Sequence, residues 1–183
     1  MRYKADHKLQ TRTRIIEAAM ALLVDVGPAA VTIHGVMRAA GLTHGGFYAH
    51  FESRDALLET AMAAATARTL VGLFGTTDPA KGADPRDVIG RYLGRSHLEA
   101  ETGCPLPASC GGGLDDGGQV ARHDAVAAYV SALTAIVPND GAADALLALM
   151  VGGVALARAQ GGEDGEATLR ACRRAARAII DVR

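Results

Sequence analysis

The chain contains 183 residues, enough for one large domain or for a small module followed by a larger one. Hydrophobic residues make up 49% of the sequence, aromatic residues only 4%, and tryptophan is absent, so small aliphatic side chains must build the core. Alanine-rich cores of this kind favour helices. The formal net charge is −1, but residues 1–14 carry five Lys and Arg side chains against one acidic side chain. This uneven distribution is typical of a protein that contacts phosphate at one end, although a solvated tail has the same composition.

The same composition argues against secreted and membrane classes. The first 14 residues are polar and charged where a signal peptide would turn apolar. The longest uncharged apolar stretch, Ala145–Ala157, is shorter than the roughly 20 residues that span a bilayer. Three cysteines without a C-x-x-C pair indicate neither a disulfide framework nor a zinc site. We therefore expect a cytoplasmic protein with reduced thiols and no membrane partner.

The N-terminal part of the chain predicts three short helices in close succession. Apolar residues at helical spacing indicate a first helix over residues 13–26. Thr32 can cap a second helix, which Gly41 stops, and Thr43 can cap a short third helix. Ser53 can cap a fourth helix that runs on towards residue 74. Together these segments form a compact helical unit.

The remainder of the chain also predicts helices. Turn-forming residues over 75–85 indicate a connection, Asp84 can cap the helix that follows, and residues 103–118 are too rich in Gly and Pro for a regular element. No alternation typical of strands occurs, so the predicted fold class is all-α. Further helices are predicted over residues 88–100, 126–137, 141–160 and 166–182.

Two short helices joined by a turn that contains Gly41 match the requirements of a helix-turn-helix. The residues from Met37 to Phe51, followed by Ser53-Arg54 and Leu57-Leu58, closely resemble the DNA-binding signature of the TetR family over about residues 10–60. The resemblance implies an N-terminal three-helix DNA-binding domain over 1–53 and a C-terminal helical ligand-binding and dimerisation domain over 54–183. It further implies a homodimeric repressor that leaves double-stranded operator DNA when a small-molecule inducer binds.

The resemblance also assigns roles to individual residues. Hydroxyl groups, cationic side chains and backbone amides are the groups that bind phosphates, while the start of the third helix faces the bases. Gly45 and Gly46 are poor helix formers, so close approach of the backbone to DNA is a reason for their presence. The expected interface, including Arg12 from the basic segment and His50 on the exposed side, comprises Arg12, Thr32, Thr43, His44, Gly45, Gly46, Tyr48, His50 and Arg54.

Two positions depart from the family pattern. His34-Gly35 replaces the acidic residue that commonly completes the start of the second helix, so the capping box is missing. His44 stands where arginine, lysine or another residue often follows the capping hydroxyl. The base preference of relatives is therefore not transferable to this chain.

The segment from Gly103 to Pro107 resembles a Gly-Cys-Pro segment in one group of TetR-like proteins, and Met150–Arg158 resembles the next-to-last helix of that group. Small residues at 152, 153 and 157 would let two helices approach closely, which favours a dimer face built from the last two helices. Cys104, with Cys110 nearby, is either a sensor of electrophiles or oxidants or a small apolar residue in the core. Cys172 lies on an apolar stripe and is expected in the core.

Other functional classes find little support in the sequence. The spacings among His97, Cys104, Cys110 and His123 fit no familiar metal site, and no cofactor motif or catalytic signature occurs, so we expect neither a metal nor a cofactor. One alternative is a small enzyme with Cys104 as nucleophile and His97 or His123 as base. Another is a ligand-binding or scaffolding protein that no longer binds DNA. An inducer-released repressor remains the main prediction.

Overall fold

The computed structural model describes residues 2–81, 83–99, 103–110, 116–137 and 141–181. Every regular element in these ranges is helical, which confirms the predicted all-α class. Residue 100, residues 111–115, Pro138 and residue 182, which the predicted elements include or end on, lie outside the described ranges. The α-helices are α1 (Arg2–Asp25), α2 (Ile33–Ala39), α3 (Arg54–Phe74), α4 (Pro85–Tyr92), α5 (Arg95–Glu99), α6 (Leu106–Ser109), α7 (Asp116–Thr134), α8 (Ala142–Gln160) and α9 (Gly162–Asp181), with 3₁₀ turns at Pro28–Ala30, His44–Ala49 and Pro79–Lys81.

The N-terminal unit consists of α1, α2 and the His44–Ala49 turn, packed against the first part of α3. α1 begins at Arg2 rather than near residue 13, because the basic segment holds no Gly or Pro that would interrupt the helix. The basic residues therefore lie on a continuous helix and not on a separate tail. The side chains that fill the core of this unit are Ile15, Leu23, Val36, Met37, Phe47 and Leu57.

Three predicted helix caps are confirmed. Thr32 Oγ1 accepts a hydrogen bond from the Gly35 amide at 3.0 Å, and Ser53 Oγ accepts one from the Ala56 amide at 3.0 Å. Asp84 Oδ1 likewise accepts from the Arg86 amide at 2.8 Å. Each bond satisfies an amide that has no partner within its helix.

The cap predicted at Thr43 is wrong. Thr43 precedes the third element, but its hydroxyl makes no capping bond, and the element is a 3₁₀ turn rather than an α-helix. The reason is local: in the 3₁₀ pattern the Gly46 amide already donates to the Thr43 carbonyl at 3.1 Å. The amide that a capping hydroxyl would take is thus occupied, and the Thr43 side chain is left at the surface.

The C-terminal helices differ from the prediction in two places. The helix predicted over 88–100 is divided into α4 and α5, since the chain turns at Leu93-Gly94. α7 starts at Asp116, and Val126, expected on its apolar stripe, is 38% exposed. The helix is rotated so that the large Tyr129 side chain enters the core instead. The buried hydrophobic residues of α7 are Ala121, Ala125, Tyr129, Ala132 and Leu133.

Small residues bring α8 and α9 together within one chain. A Cβ atom at Gly153 would lie 2.9 Å from Cys172 Sγ, and one at Gly165 would lie 2.5 Å from the Ala157 carbonyl oxygen. Gly153 and Ala157 are therefore used in this intrachain contact, whereas a Cβ atom at Gly152 would meet no atom within 4 Å. Cys172, expected in the core, is only half-buried at this crossing.

Two of the described helices, α3 and α8, are long and apolar enough to cross a membrane by length and composition. The span of α8 is longer than the apolar stretch seen in the sequence, since it includes flanking residues. Half of the apolar window of each helix is nevertheless buried within the fold. Core helices of globular domains have this property.

The C-terminal helices contact the N-terminal unit where α1 ends. Gly27 has φ +75°, and a Cβ atom there would lie 2.3 Å from the Ala108 carbonyl oxygen of α6. Arg158 of α8 donates from Nη1 to the Val24 carbonyl at 3.3 Å, next to the same turn. Both contacts couple the end of α1 to the rest of the chain.

These distances predict that Gly27→Ala lowers the free energy of unfolding by roughly 2–4 kcal/mol, because the new methyl group adds a steric clash to a backbone conformation reserved for glycine. Gly75 is a matched control: it also has positive φ, +71°, but no neighbouring atom lies within 4 Å of a Cβ there. Gly75→Ala should cost about 1 kcal/mol. Urea denaturation of both variants measures the difference. Equal losses would contradict the close contact at Ala108.

Candidate nucleic-acid interface

One face of the N-terminal unit presents most of the residues predicted to contact DNA. Thr32 lies at the start of α2, and the His44–Ala49 turn lies beside it with its polar residues outward. Tyr48 is 64% exposed, which is unusual for so large a ring. The predicted residues that are exposed on this face are Thr32, Thr43, His44, Gly45 and Tyr48.

A shallow concavity lies between α2 and the turn. It has a volume of about 440 Å³, and His34, Arg38 and His44 are among the side chains that line it. The rings of His34 and His44 have their centroids 6.5 Å apart. His34 and Arg38 were not predicted as contacts. Their spacing of four residues on the polar side of α2 was the signal that would have placed them there.

The His44–Ala49 turn, which we call the reading turn, is held in place by aromatic packing on its buried side. Phe47 is completely buried, and its ring stacks on that of Phe51 with centroids 5.8 Å apart. The ring of Tyr48 meets the Phe47 ring edge-on at 5.2 Å. Because Phe47 points into the core, its neighbours on the short turn must point outward. The predicted core role of both phenylalanines is confirmed.

Two arginines fix the ends of α2 by binding backbone carbonyls. Arg14 Nη2 donates to the Ala40 carbonyl at 2.6 Å, where Gly41 turns the chain with φ +67°. Arg54 Nε donates to the Val31 carbonyl at 2.7 Å, and its Nη2 donates to the Pro28 carbonyl at 2.6 Å. Arg54, predicted as a phosphate contact, thus positions the segment that leads into α2.

Arg12 of α1 lies close enough to His50 for its charge to act on the imidazole. The Arg12 guanidinium lies 4.6 Å above the centroid of the Phe51 ring. His50 is half-buried, so the expectation that it lies on the exposed side is wrong. Burial lowers the pKa of His50, and the positive charges of Lys8 and Arg12 lower it further. The imidazole is therefore neutral at pH 7, and its Nδ1 is buried without a hydrogen-bond partner among the described residues.

The fold does not require the two glycines of the reading turn. Neither Gly45 nor Gly46 has a positive φ. A Cβ atom at Gly45 would meet nothing within 4 Å, and one at Gly46 would lie 3.7 Å from Met37 Cε, an ordinary contact. Alanine would fit both positions and would form helical turns more readily.

The cysteine singled out in the sequence lies in the core of the C-terminal part. Cys104 is completely buried, and its backbone amide donates to His97 Nε2 at 3.4 Å. Burial raises the pKa of the Cys104 thiol and lowers that of His97 to about 4. Both groups are neutral at pH 7, and the imidazole nitrogen that accepts the amide is not available as a base. Cys110 is exposed.

The surroundings of Cys104 are unusually polar for a core. Tyr92 and Tyr129 lie beside the thiol, and burial followed by the neighbouring Cys104 raises the pKa of both phenols. Neither phenol oxygen has a hydrogen-bond partner of normal geometry in the described part of the chain. No group of three or more His, Cys, Asp or Glu side chains among the described residues is placed to hold a metal ion.

Residues 15–61 match the family model of bacterial regulatory proteins of the tetR family. Over this segment the chain is similar to the N-terminal region of TetR-family transcriptional regulators. The match covers the C-terminal part of α1, α2, the reading turn and the beginning of α3. The resemblance seen in the sequence is confirmed.

Individual relatives are distant from this chain. The HTH-type transcriptional regulator YerO of Bacillus subtilis is 28% identical over 85 residues, which are 46% of this chain and 29% of YerO. Reduced NemR of E. coli has a TM-score of 0.72 at 19% identity, with 95% of this chain and 98% of NemR covered. FadR of Bacillus subtilis in complex with stearoyl-CoA has a TM-score of 0.65 at 12% identity, with 92% and 97% covered.

Thiol labelling tests the burial of Cys104. In the native protein, Cys110 should react with a disulfide reagent first, whereas Cys104 should react only after unfolding, because burial excludes the reagent and disfavours the thiolate. Peptide mass spectrometry assigns the labelled positions, and Cys110→Ser is the control that removes the fast reaction. Rapid labelling of Cys104 in folded Cys110→Ser would contradict the buried thiol.

Proposed function

We propose that this TetR-family regulator is a repressor that binds double-stranded operator DNA as a homodimer and is released by a small-molecule inducer. The observation that carries the proposal is the exposed face formed by Thr32, Thr43, His44, Gly45 and Tyr48, held in place by buried aromatic residues. DNA as partner places the protein in the cytoplasm, and the proposal includes no membrane partner.

Hydroxyl groups on this face supply the phosphate contacts. Thr32 Oγ1 accepts the Gly35 amide, which leaves the hydroxyl proton to donate to a phosphate oxygen. The Thr43 hydroxyl makes no capping bond, and Tyr48 projects from the reading turn. Phosphate contacts of this kind position the protein on the duplex without reading its sequence.

Base contacts come from the concavity between α2 and the reading turn. Arg38 and the two histidines, His34 and His44, offer hydrogen-bond donors that can reach base edges in the major groove. Gly45 is exposed, and a Cβ atom there would meet no other atom of the fold within 4 Å. Without a side chain at this position, the backbone can approach the DNA closely. Arg54 contributes by positioning Thr32 through the Val31 carbonyl, and its predicted phosphate contact is part of the proposal.

The dimer uses the last two helices. On α8, a Cβ atom at Gly152 would meet open space, and Leu156, one turn later, is 58% exposed. A small residue beside an exposed apolar one favours close approach of a second copy through the same surface. A twofold dimer presents two reading turns to a palindromic site.

One route of coupling between ligand and DNA runs through the end of α1. We assign DNA binding to residues 1–53 and ligand binding and dimerisation to 54–183, with α3 packed against both parts. A ligand that shifts α6 or α8 would move Gly27 through Ala108, or Val24 through Arg158. The complex of FadR with stearoyl-CoA supports a ligand-responsive fold.

The alternative hypotheses about the function of this protein are less well supported. A thiol sensor needs an accessible thiolate, but Cys104 is buried and its pKa is raised. The burial of Cys104 also disfavours a cysteine-dependent enzyme, as does the hydrogen bond that His97 Nε2 accepts from the Cys104 amide. A protein that has lost DNA binding would not need the polar residues Thr32, Thr43 and His44 at the surface, yet all three are exposed.

Selection of duplexes from a random pool tests the function. The purified chain should enrich a palindromic sequence, and its affinity should fall steeply with added salt because counterions are released from each neutralised phosphate. Fluorescence anisotropy at several salt concentrations measures both properties. A chain that enriches no sequence and binds all duplexes only weakly is not an operator-binding repressor.

The substitution Gly45→Ala tests whether Gly45 serves DNA binding rather than folding. The substitution should raise the free energy of unfolding by up to about 1 kcal/mol, because alanine forms helical turns more readily than glycine. It should nevertheless weaken operator binding about tenfold or more, since the methyl group faces the DNA. Gly72→Ala is the matched control, as Gly72 lies in α3 with no atom within 4 Å of a Cβ. It should be equally stabilising without loss of affinity; the same affinity in both variants refutes the assigned role of Gly45.

A further inference from the structure

An apolar groove runs between α3 and α7. The groove has a volume of about 440 Å³, within the range of small-molecule sites. Its walls are mostly alanine, with Leu70 and the 53% exposed Val120. An apolar surface of this shape left open to solvent is typical of a binding site.

A buried polar group lines this groove without a partner. Thr66 is 4% exposed, and its Oγ1 has no hydrogen-bond partner among the described residues. Threonines elsewhere on α3 satisfy their hydroxyls through the preceding turn, as Thr60 does with the Ala56 carbonyl and Thr69 with the Ala65 carbonyl. An unpaired buried hydroxyl costs free energy, which a ligand with a hydrogen-bonding group would recover.

The charge at the groove has one sign. Glu59 from α3 and Asp124 from α7 are the charged side chains that line it, and both are exposed. Carboxylates on both walls attract a cation and repel an anion. The groove also continues into a second segment of about 550 Å³ that shares Ala67, Leu70 and Ala128, so there is room for an elongated apolar body.

We propose that the α3–α7 groove binds a small organic ammonium ion with an apolar body. The ammonium group lies between Glu59 and Asp124 and donates an N–H to Thr66 Oγ1, while the apolar body extends past Leu70 into the second segment. This inference rests on the proposed function, since it names the chemical class of the inducer. α3 begins directly after the reading turn and packs against α1, so a ligand on α3 acts on the helix that supports the DNA-binding unit.

Isothermal titration calorimetry on the DNA-free chain tests the site with two probes of similar shape and opposite charge. Phenylbutylammonium should bind, and phenylbutanoate, which has the opposite charge, should bind at least about tenfold more weakly. Asp124→Asn combined with Glu59→Gln should weaken the ammonium about tenfold. Glu163→Gln on α9 is the control, because Glu163 is also an exposed carboxylate but lies outside the groove, and it should leave the affinity unchanged.

The proposed hydrogen bond from the ammonium group to Thr66 Oγ1 is tested separately. Thr66→Val keeps the shape of the side chain, so folding is preserved, but the acceptor is lost. It should weaken phenylbutylammonium several-fold and leave its trimethylated analogue, which has no N–H, unaffected. Equal binding of ammonium and carboxylate probes, or ammonium affinity that is independent of Glu59 and Asp124, overturns the proposal. So does a second copy of the chain in the groove, which Val120→Glu would reveal by dissociating a dimer in sedimentation.

Operator binding separates this inference from the proposed function. Anisotropy with the selected operator should show release by phenylbutylammonium in the wild type and not in the double variant. Calorimetric binding that leaves operator affinity unchanged overturns the assignment of the ammonium as inducer. A chain that binds the ammonium through Glu59 and Asp124 but binds no duplex overturns the repressor function and leaves the ligand site supported.

Discussion

The burial of one aromatic side chain determines the orientation of the His44–Ala49 turn. The reading turn spans only six residues and contains two glycines, so it has little intrinsic stability. Phe47 is completely buried beneath it, and burial of a phenylalanine contributes about 2 kcal/mol or more. Because this side chain points inward, Thr43, His44 and Tyr48 are held at the surface with a defined orientation. The turn is therefore ordered by tertiary packing rather than by its own hydrogen bonds.

Several arginine side chains stabilise the fold by binding backbone carbonyls. Arg14 and Arg54 donate to backbone carbonyls at the two ends of α2, where a charged donor forms a stronger hydrogen bond than a neutral one. Arg158 makes a similar bond to the end of α1 from α8. The same chemistry that would suit phosphate is thus used to align α2 and to connect the two parts of the chain.

The C-terminal core contains buried polar groups that lower the stability of the fold. The hydroxyls of Thr66, Tyr92 and Tyr129 are buried without partners of normal geometry in the described part of the chain. Two of them surround the Cys104 thiol, which stays neutral there, while the third lines an open groove with acidic walls. Unpaired groups of this kind lower the stability of the fold. A ligand that supplies a hydrogen bond to one of them would recover this free energy.

Local interactions were readable in the sequence, and long-range ones were not. The caps at Thr32 and Ser53, the turn at Gly41 and the core position of Phe47 follow from residues within four positions of one another, so the sequence determined the helix-turn-helix and its family. Other features depend on segments that are distant in the sequence. They are the carbonyl contacts of Arg54, the half-burial of His50, the rotation of α7 that exposes Val126, and the α8–α9 contact at Gly153. Only the tertiary structure decided these features, because a side chain's partner across the core depends on how whole helices pack and not on its neighbours in the chain.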